Sequence, residues 1–456
     1  MNIEKIGKEK QIKDTFVYLL PVLLSTLSPL LTMPIFTRIL TKEDYGVLAL
    51  SQIYGIFACG VANFGLSVGY ERNFFQYKDE KRTAQLLYST LLFVITVFII
   101  LALLTYLFQS PLSKWILGSS EYSNILFWVF CSTGITSFKT YYLTYFRNTV
   151  NAKAFAMYNI NESILTVVLS LVMVVYMRIG VIGLAWGQLL ASLVIFILLT
   201  IKILKELTIS FNWLVLRDSL KFSYPLTPRI FFGVIGRQCD KYVIGLMSSV
   251  GGVGIYSIGQ KVALISFSCM TSIYNVYQPQ VYNRMFDLGK KGGKSVGSYL
   301  TPFAYVSVAI VLLVSLFSEE IISVLAPESY YDAIEIVIIL SMFYGSLFFG
   351  MQNQLIFAKK TYCASILSIG SIVLNLALNV PFIMKWGVIG AAWATFLAGL
   401  ISGSASFAIS QYYYKILWEY KKIGAIYFIF FCSSMLTLLL RNALIGYEIR
   451  VIAKSI

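Results

Sequence analysis

"GVIGLAWGQLLASL" occupies residues 180–193 and "GVIGAAWATFLAGL" occupies residues 387–400. Nine of the fourteen positions are identical. Convergence is one explanation, because Gly, Ala, Leu and Trp are common where apolar helices begin. Duplication is the other, and it predicts further matches at the same spacing. "YGVLALSQ" (45–52) falls on "VGIYSIGQ" (253–260), which aligns Gly46 with Gly254 and Gln52 with Gln260. "DTFVYLLP" (14–21) falls on "DSLKFSYP" (218–225), which aligns Asp14 with Asp218 and Pro21 with Pro225. Leu117 and Tyr122 fall on Leu325 and Tyr330, Lys153 on Lys360, and Arg178 on Lys385. These landmarks keep their order, with offsets of 204–208. The chain therefore reads as two copies of one unit.

Composition identifies the solvent. The 456 residues are 58% hydrophobic and only 12% charged, whereas soluble domains carry about a quarter charged residues. A chain this apolar needs lipid around it. The net charge of +15 does not indicate a nucleic-acid partner. Its Lys and Arg residues sit in short gaps between apolar runs, as cytoplasmic loops facing anionic lipid do. The polar, basic start "MNIEKIGKEKQIKD" carries no signal-peptide pattern. The six cysteines form no CxxC pair and lie in or beside apolar runs, so neither a disulfide framework nor a metal site is expected. Histidine is absent, which removes the commonest general base and metal ligand.

A membrane helix needs about 20 apolar residues. Such spans are predicted near 16–37, 46–69, 86–108, 122–146, 155–177, 181–203, 220–247, 253–278, 297–317, 332–357, 363–383 and 388–411, with a thirteenth at 423–440. Basic residues concentrate in alternate loops, from Lys5, Lys8, Lys10 and Lys13 at the N-terminus to Lys415, Lys421 and Lys422 after span twelve. The intervening loops are poor in them, and the one at 318–332 is acidic. The positive-inside rule then puts the N-terminus in the cytoplasm. Six spans is an even number, so both copies enter the membrane from the same side. The expected fold is all-α and polytopic: two parallel six-helix lobes related by a pseudo-two-fold axis along the membrane normal. The expected divisions are 1–210, 211–412 and an extra C-terminal segment, 413–456. The largest loop, near 279–296, has no room for a soluble domain. Gly183, Gly187 and Ala191, like Gly390, Ala394 and Ala398, lie four apart. They read as packing surface and not as a site.

An ionisable residue deep in a span needs a partner or a cavity. Span seven, "SLKFSYPLTPRIFFGVIGRQCDKYVIGL" (219–246), holds Arg229, Arg237, Asp240 and Lys241. At about 100° per residue all four fit one side of the helix, and Pro225 and Pro228 predict a bent first turn. Lys261 in span eight lies at a depth similar to that of Lys241. Lys139 lies in span four and Glu162 in span five. Two readings stand side by side. One is an internal salt-bridge network, for instance Asp240 with Arg237 or Lys241. The other is a cationic site for an anion such as phosphate, because positive charge is in excess. Tyr274 and Tyr277 are candidate sugar-stacking rings.

"PIFTRILTKEDYGVLAL" (34–50) resembles the first-loop signature of bacterial polysaccharide transporters: a Pro, a Thr-Arg pair, a Leu, then Tyr-Gly. "YPLTPRIFFGVIGRQCDKYVIG" (224–245), followed by "GIYSIGQK" (254–261), resembles the matching region of the second lobe, and the doubled "WGVIGAAW" opening is similar too. The resemblance covers residues from about 10 to 412. It is to the O-antigen (Wzx-type) flippases of the multidrug/oligosaccharidyl-lipid/polysaccharide exporter superfamily.

The resemblance implies translocation of an undecaprenyl-diphosphate-linked oligosaccharide, the precursor of O-antigen, capsule or exopolysaccharide, across the bacterial inner membrane. It implies alternating access, coupling to H+ or Na+, and no cofactor or metal. It carries a substrate-binding cationic cavity onto Arg229, Arg237 and Lys241, with Lys261 and Lys139 as further candidates. Asp240 and Glu162 become candidates for cation coupling or a salt bridge, and Arg38, Arg72 and Gln260 match family positions at or near span ends. Expected partners are the lipid-linked oligosaccharide, membrane lipids, and the polymerase and chain-length regulator of the same pathway. The family plan ends at span twelve, so "KIGAIYFIFFCSSMLTLLL" (422–440) is extra. A cation-coupled multidrug extruder of the same superfamily is the rival reading. An enzyme, the polysaccharide polymerase, is disfavoured because no long outer loop exists.

Overall fold

A computed structural model describes Pro21, Leu24, Ser25 and residues 27–77, 79–149, 151–350 and 353–442. The described residues contain helices and no strand. They divide into two compact units, Met1–Gln238 and Cys239–Ile456, and the division falls inside one helix.

In the first unit, α1 covers 27–39, α2 is Lys42–Asn63, α3 Leu66–Gln76, α4 Glu80–Leu107 and α5 Gln109–Leu117. They are followed by α6, Ser123–Asn148, α7, Ala152–Leu171, α8, Val181–Glu206, and α9, Trp213–Ser223. The "TKED" of the 34–50 stretch opens α2 as a capping box. Thr41 Oγ1 accepts from Asp44 N–H at 3.1 Å, and Asp44 Oδ2 accepts from Thr41 N–H at 2.9 Å. The span expected at 46–69 is cut at Phe64 and Gly65, both left-handed, so it continues as the separate helix α3. α6 is the centre of this unit and packs against α2, α4 and α8. Its core includes Phe98, Phe130, Phe138 and Phe146.

Span seven is interrupted where its prolines lie. α9 ends at Ser223, Tyr224–Leu226 forms a 3-10 turn, and α10 runs Thr227–Met247. The second unit then comprises α11, Val250–Leu288, α12, Gly292–Leu316, α13, Ser318–Leu325, and α14, Ala333–Gly350. It ends with α15, Asn353–Phe357, α16, Thr361–Tyr413, and α17, Tyr420–Asn442. The loop expected at 279–296 is mostly helix, because α11 continues 39 residues to Leu288 with Pro279 inside it.

Nine helices among the described residues are long and apolar enough to cross a membrane. One of them, Tyr362–Tyr413, has 52 residues, about two crossings at 1.5 Å per residue. α6 and α10, with 26 and 21 residues, are also of membrane length. Every expected span from the second onward has a helix in its place. Of the first, 16–37, the residues from 27 onward belong to α1, and eight of the others lie outside the described residues. The protein is a multi-pass membrane protein.

The repeated stretch explains its own conservation of glycine. Gly180 opens α8 with φ 66° and ψ −151°, and Gly387 breaks α16 with φ 57° and ψ −137°. Only glycine adopts this conformation readily. The duplicated residues thus build the same corner twice. Element order repeats too: α12, short α13, α14, the first half of α16, a glycine corner and the second half follow the order of α4, short α5, α6, α7, corner and α8. Downstream of the corner, Gly187 brings α8 against the α7 backbone, where an added Cβ would lie 2.7 Å from Ser170 N.

The extra segment packs within the second unit. α17 packs on α12 and α14. Ser434 Oγ accepts from Ser315 Oγ at 2.9 Å, Tyr427 OH donates to Gly345 O at 3.0 Å, and Arg441 pairs with Glu335 at 3.3 Å.

Candidate functional site

Two carboxylates among the helices, Glu162 in the first unit and Asp240 in the second, are satisfied differently. In the first unit, Glu162 on α7 forms an ion pair with Lys139 on α6, which is 4% exposed. Ser192 on α8 donates to Glu162 Oε1 at 2.9 Å, and Thr136 on α6 lies 3.2 Å from the Ser192 hydroxyl. Helices α6, α7 and α8 are therefore joined by one polar cluster. The Lys139 charge is neutralised where it sits.

In the second unit, Asp240 on α10 is 8% exposed. Its carboxylate is surrounded by neutral donors. Oδ1 accepts from Asn379 Nδ2 at 2.8 Å. Oδ2 accepts from Tyr256 OH at 2.9 Å and from Thr395 Oγ1 at 2.8 Å. Asn375 extends the cluster, accepting from Asn379 Nδ2 at 3.0 Å and donating to Thr395 Oγ1 at 3.2 Å. Cys239 Sγ lies 3.3 Å from Asn375 Oδ1. Asn379 Oδ1 is buried and has no hydrogen-bond partner. Four helical segments meet here: α10, α11 and both halves of α16.

No ion pair within 4.0 Å joins Asp240 to Lys241 among the described residues. Lys241 is half-buried beside the cluster and interacts electrostatically with Lys261 and Asp240. Lys261, on α11, is also half-buried. These two lysines and Asp240 form one charged neighbourhood. The side chains of Arg229 and Arg237 lie outside the described residues, although both positions belong to α10.

The remaining candidates are scattered. Arg38 is exposed on α1 and bonds the Pro34 carbonyl. Arg72 is exposed on α3, donates to Asn73 Oδ1 at 2.8 Å and to Gln76 Oε1 at 3.1 Å, and caps the Phe222 ring at 4.5 Å. Gln260 is half-buried on α11. Tyr277 is no sugar platform. It is 2% exposed and its ring packs against Tyr274, Phe303 and Phe348.

The residues that sequence reading missed are the neutral ones: Tyr256, Asn375, Asn379, Thr395 and Ser192. One signal was present. Asn375 and Asn379 lie four apart in an otherwise apolar span, and intramembrane polar side chains are costly unless partnered. Thr395 was concealed inside the repeated stretch, which read as scaffold. That stretch is scaffold along its small-residue face, yet Thr395 and Ser192 reach the two carboxylates from it.

Among solved structures, the chain has a TM-score of 0.73 to "Lipid II flippase MurJ, inward closed conformation", with 16% identity, covering 97% of this chain and 96% of that one. It has a TM-score of 0.69 to an inward-facing multidrug resistance MATE family transporter of the MOP superfamily, with 16% identity, covering 90% of this chain and 98% of that one. At these identities the likeness concerns the fold. Among curated proteins, it is 24% identical over 220 residues to "Probable low-salt glycan biosynthesis flippase Agl15" of Haloferax volcanii. That match covers 48% of this chain and 45% of the relative, so the chain spans about half the length of the curated relative it matches. The family described as "Polysaccharide biosynthesis protein" matches residues 12–281, well over half of the chain. On that match, carried by a fold shared with MOP-superfamily transporters, the chain belongs to the polysaccharide biosynthesis protein family.

Proposed function

We propose that the protein is a flippase that carries a lipid-linked oligosaccharide across the bacterial inner membrane by alternating access, with its N-terminus in the cytoplasm. The substrate class is an undecaprenyl-diphosphate-linked repeat unit destined for O-antigen, capsule or exopolysaccharide. The single observation that supports this best is the family match over residues 12–281 in a chain built of membrane-length helices. The kinship of the curated glycan flippase points the same way.

In this reading Lys241 and Lys261, with Arg229 and Arg237 on the same helix as Lys241, attract the diphosphate, whose oxygens match cationic donors. Lys139 contributes less, because Glu162 already neutralises it. Asp240 serves coupling. Its carboxylate is held by hydroxyl and amide donors, so taking up H+ or Na+ changes the net charge of the cluster without first breaking an ion pair. The polymerase and chain-length regulator of the pathway are the partners that consume the delivered unit.

Deletion of the gene is the test. A flippase mutant accumulates single lipid-linked repeats on the cytoplasmic face, and a polymerase mutant exposes single repeats outside. Lys241→Ala and Arg237→Ala abolish polymer export while the protein still inserts; full export by both sinks the cationic-site reading. Resistance to cationic drugs on overexpression, with normal export in the deletion, identifies a multidrug extruder instead.

A further inference from the structure

We propose that a slot between α14, the second half of α16 and α17 binds one anionic phospholipid, with an acyl chain in the slot and the phosphate on lysines at its rim. The slot has a volume of about 370 Å³ and is walled by Phe349, Phe407, Trp418 and Tyr427, all in the second unit. Apart from Trp418, which lies in the connection between α16 and α17, these walls belong to helices of membrane length, so hydrocarbon is the solvent that reaches the slot.

Three observations select the occupant. First, Gly403 and Gly424 line the slot, and a Cβ added at either meets nothing within 4 Å. Glycine is among the poorest helix formers, and close approach is its usual justification inside a helix. Neither position has one, and what these glycines do is keep space open. Second, the Trp418 indole N–H is buried without a hydrogen-bond partner. A buried indole N–H usually finds an acceptor, and Trp418 is one of the residues that line the slot. Glycerophospholipids carry ester carbonyls just below the headgroup, and an isoprenoid chain carries none. Third, Lys415 and Lys421 flank Trp418 three residues away on either side, and both are exposed. Lys422 beside them is paired with Glu419 at 2.9 Å. Lysines at this position attract anionic lipid.

The experiment uses the full chain in detergent micelles, with phosphatidylglycerol and phosphatidylcholine added in turn and bound lipid counted by native mass spectrometry. The wild type retains one phosphatidylglycerol in preference to phosphatidylcholine. Gly403→Leu and Gly424→Leu place a side chain in open space, so they keep the helical circular dichroism and lose the lipid. Lys415→Gln with Lys421→Gln leaves the slot intact and weakens phosphatidylglycerol binding about five-fold per lysine. Equal retention of the two lipids, or undiminished phosphatidylglycerol in folded leucine variants, overturns the proposal. Displacement of the lipid by undecaprenyl phosphate also overturns it and assigns the slot to an isoprenoid chain. Should the leucine variants not fold, an unchanged lipid preference in the lysine double variant is decisive against it.

Discussion

Glu162 and Asp240 are both carboxylates sunk among membrane helices, and each accepts a hydroxyl from a copy of the duplicated stretch. Ser192 serves Glu162 and Thr395 serves Asp240. The difference lies in which groups touch the carboxylate. Glu162 has a lysine in direct contact. Asp240 has a phenol, an amide and a hydroxyl. An ion pair in a low-dielectric interior is a closed arrangement, since removing either partner leaves the other charge stranded. A carboxylate held by neutral dipoles is stabilised too, yet it keeps its net charge and can exchange a cation. Glu162 thus holds α6, α7 and α8 together, and we assign Asp240 to coupling.

Four sets of substitutions break or sharpen that contrast. The largest effect is expected on export. Asp240→Asn keeps the shape and removes the charge, so export falls to background while insertion and folding persist; wild-type polymer levels in this variant end the coupling assignment. Next comes stability in the first unit. Glu162→Ala strands Lys139 and costs about 3–5 kcal/mol, read as a fall in the thermal unfolding midpoint in detergent. Removing both charges together as Lys139→Met with Glu162→Leu recovers most of that loss, and a double variant as unstable as the single one refutes the closed-pair picture. Tyr256→Phe or Thr395→Val deletes one hydrogen bond to a buried carboxylate, for about 1.5–3 kcal/mol each by the same measurement. The smallest effect belongs to an exposed ion pair, Arg147 with Glu71 at 2.8 Å, whose side chains are 48% and 50% exposed. Arg147→Gln changes stability by less than about 1 kcal/mol, and a larger loss would mean that burial is not what separates the pairs.

Much of the fold was legible in the sequence because its signals are local. Apolar runs of membrane length marked the helices, and the prolines at 225 and 228 marked the turn between α9 and α10. Where the reading departed from the structure, the cause was also local chemistry outweighed by context. Phe64 and Gly65 end α2 in left-handed backbone inside an apolar run, and a polar stretch after residue 279 stays helical because α11 simply continues. The candidate site was half legible. Charge inside a span announced Asp240, Lys241 and Glu162, but nothing charged announces Tyr256, Asn379 or Thr395.

By itself the sequence determined that the chain lives in lipid, that its described residues fold as helices, and that one fourteen-residue stretch was written twice. Hydropathy acts over about 20 residues, and the glycine corners at 180 and 387 need a backbone that only glycine supplies. Tertiary structure alone decided which charges meet. Lys139 finds Glu162 from 23 residues away, Asp240 finds Asn379 from 139 and Thr395 from 155. Helical periodicity states which face a side chain occupies. Which helix stands opposite that face is set by packing, and only there do an ion pair and a carboxylate among neutral donors become different things.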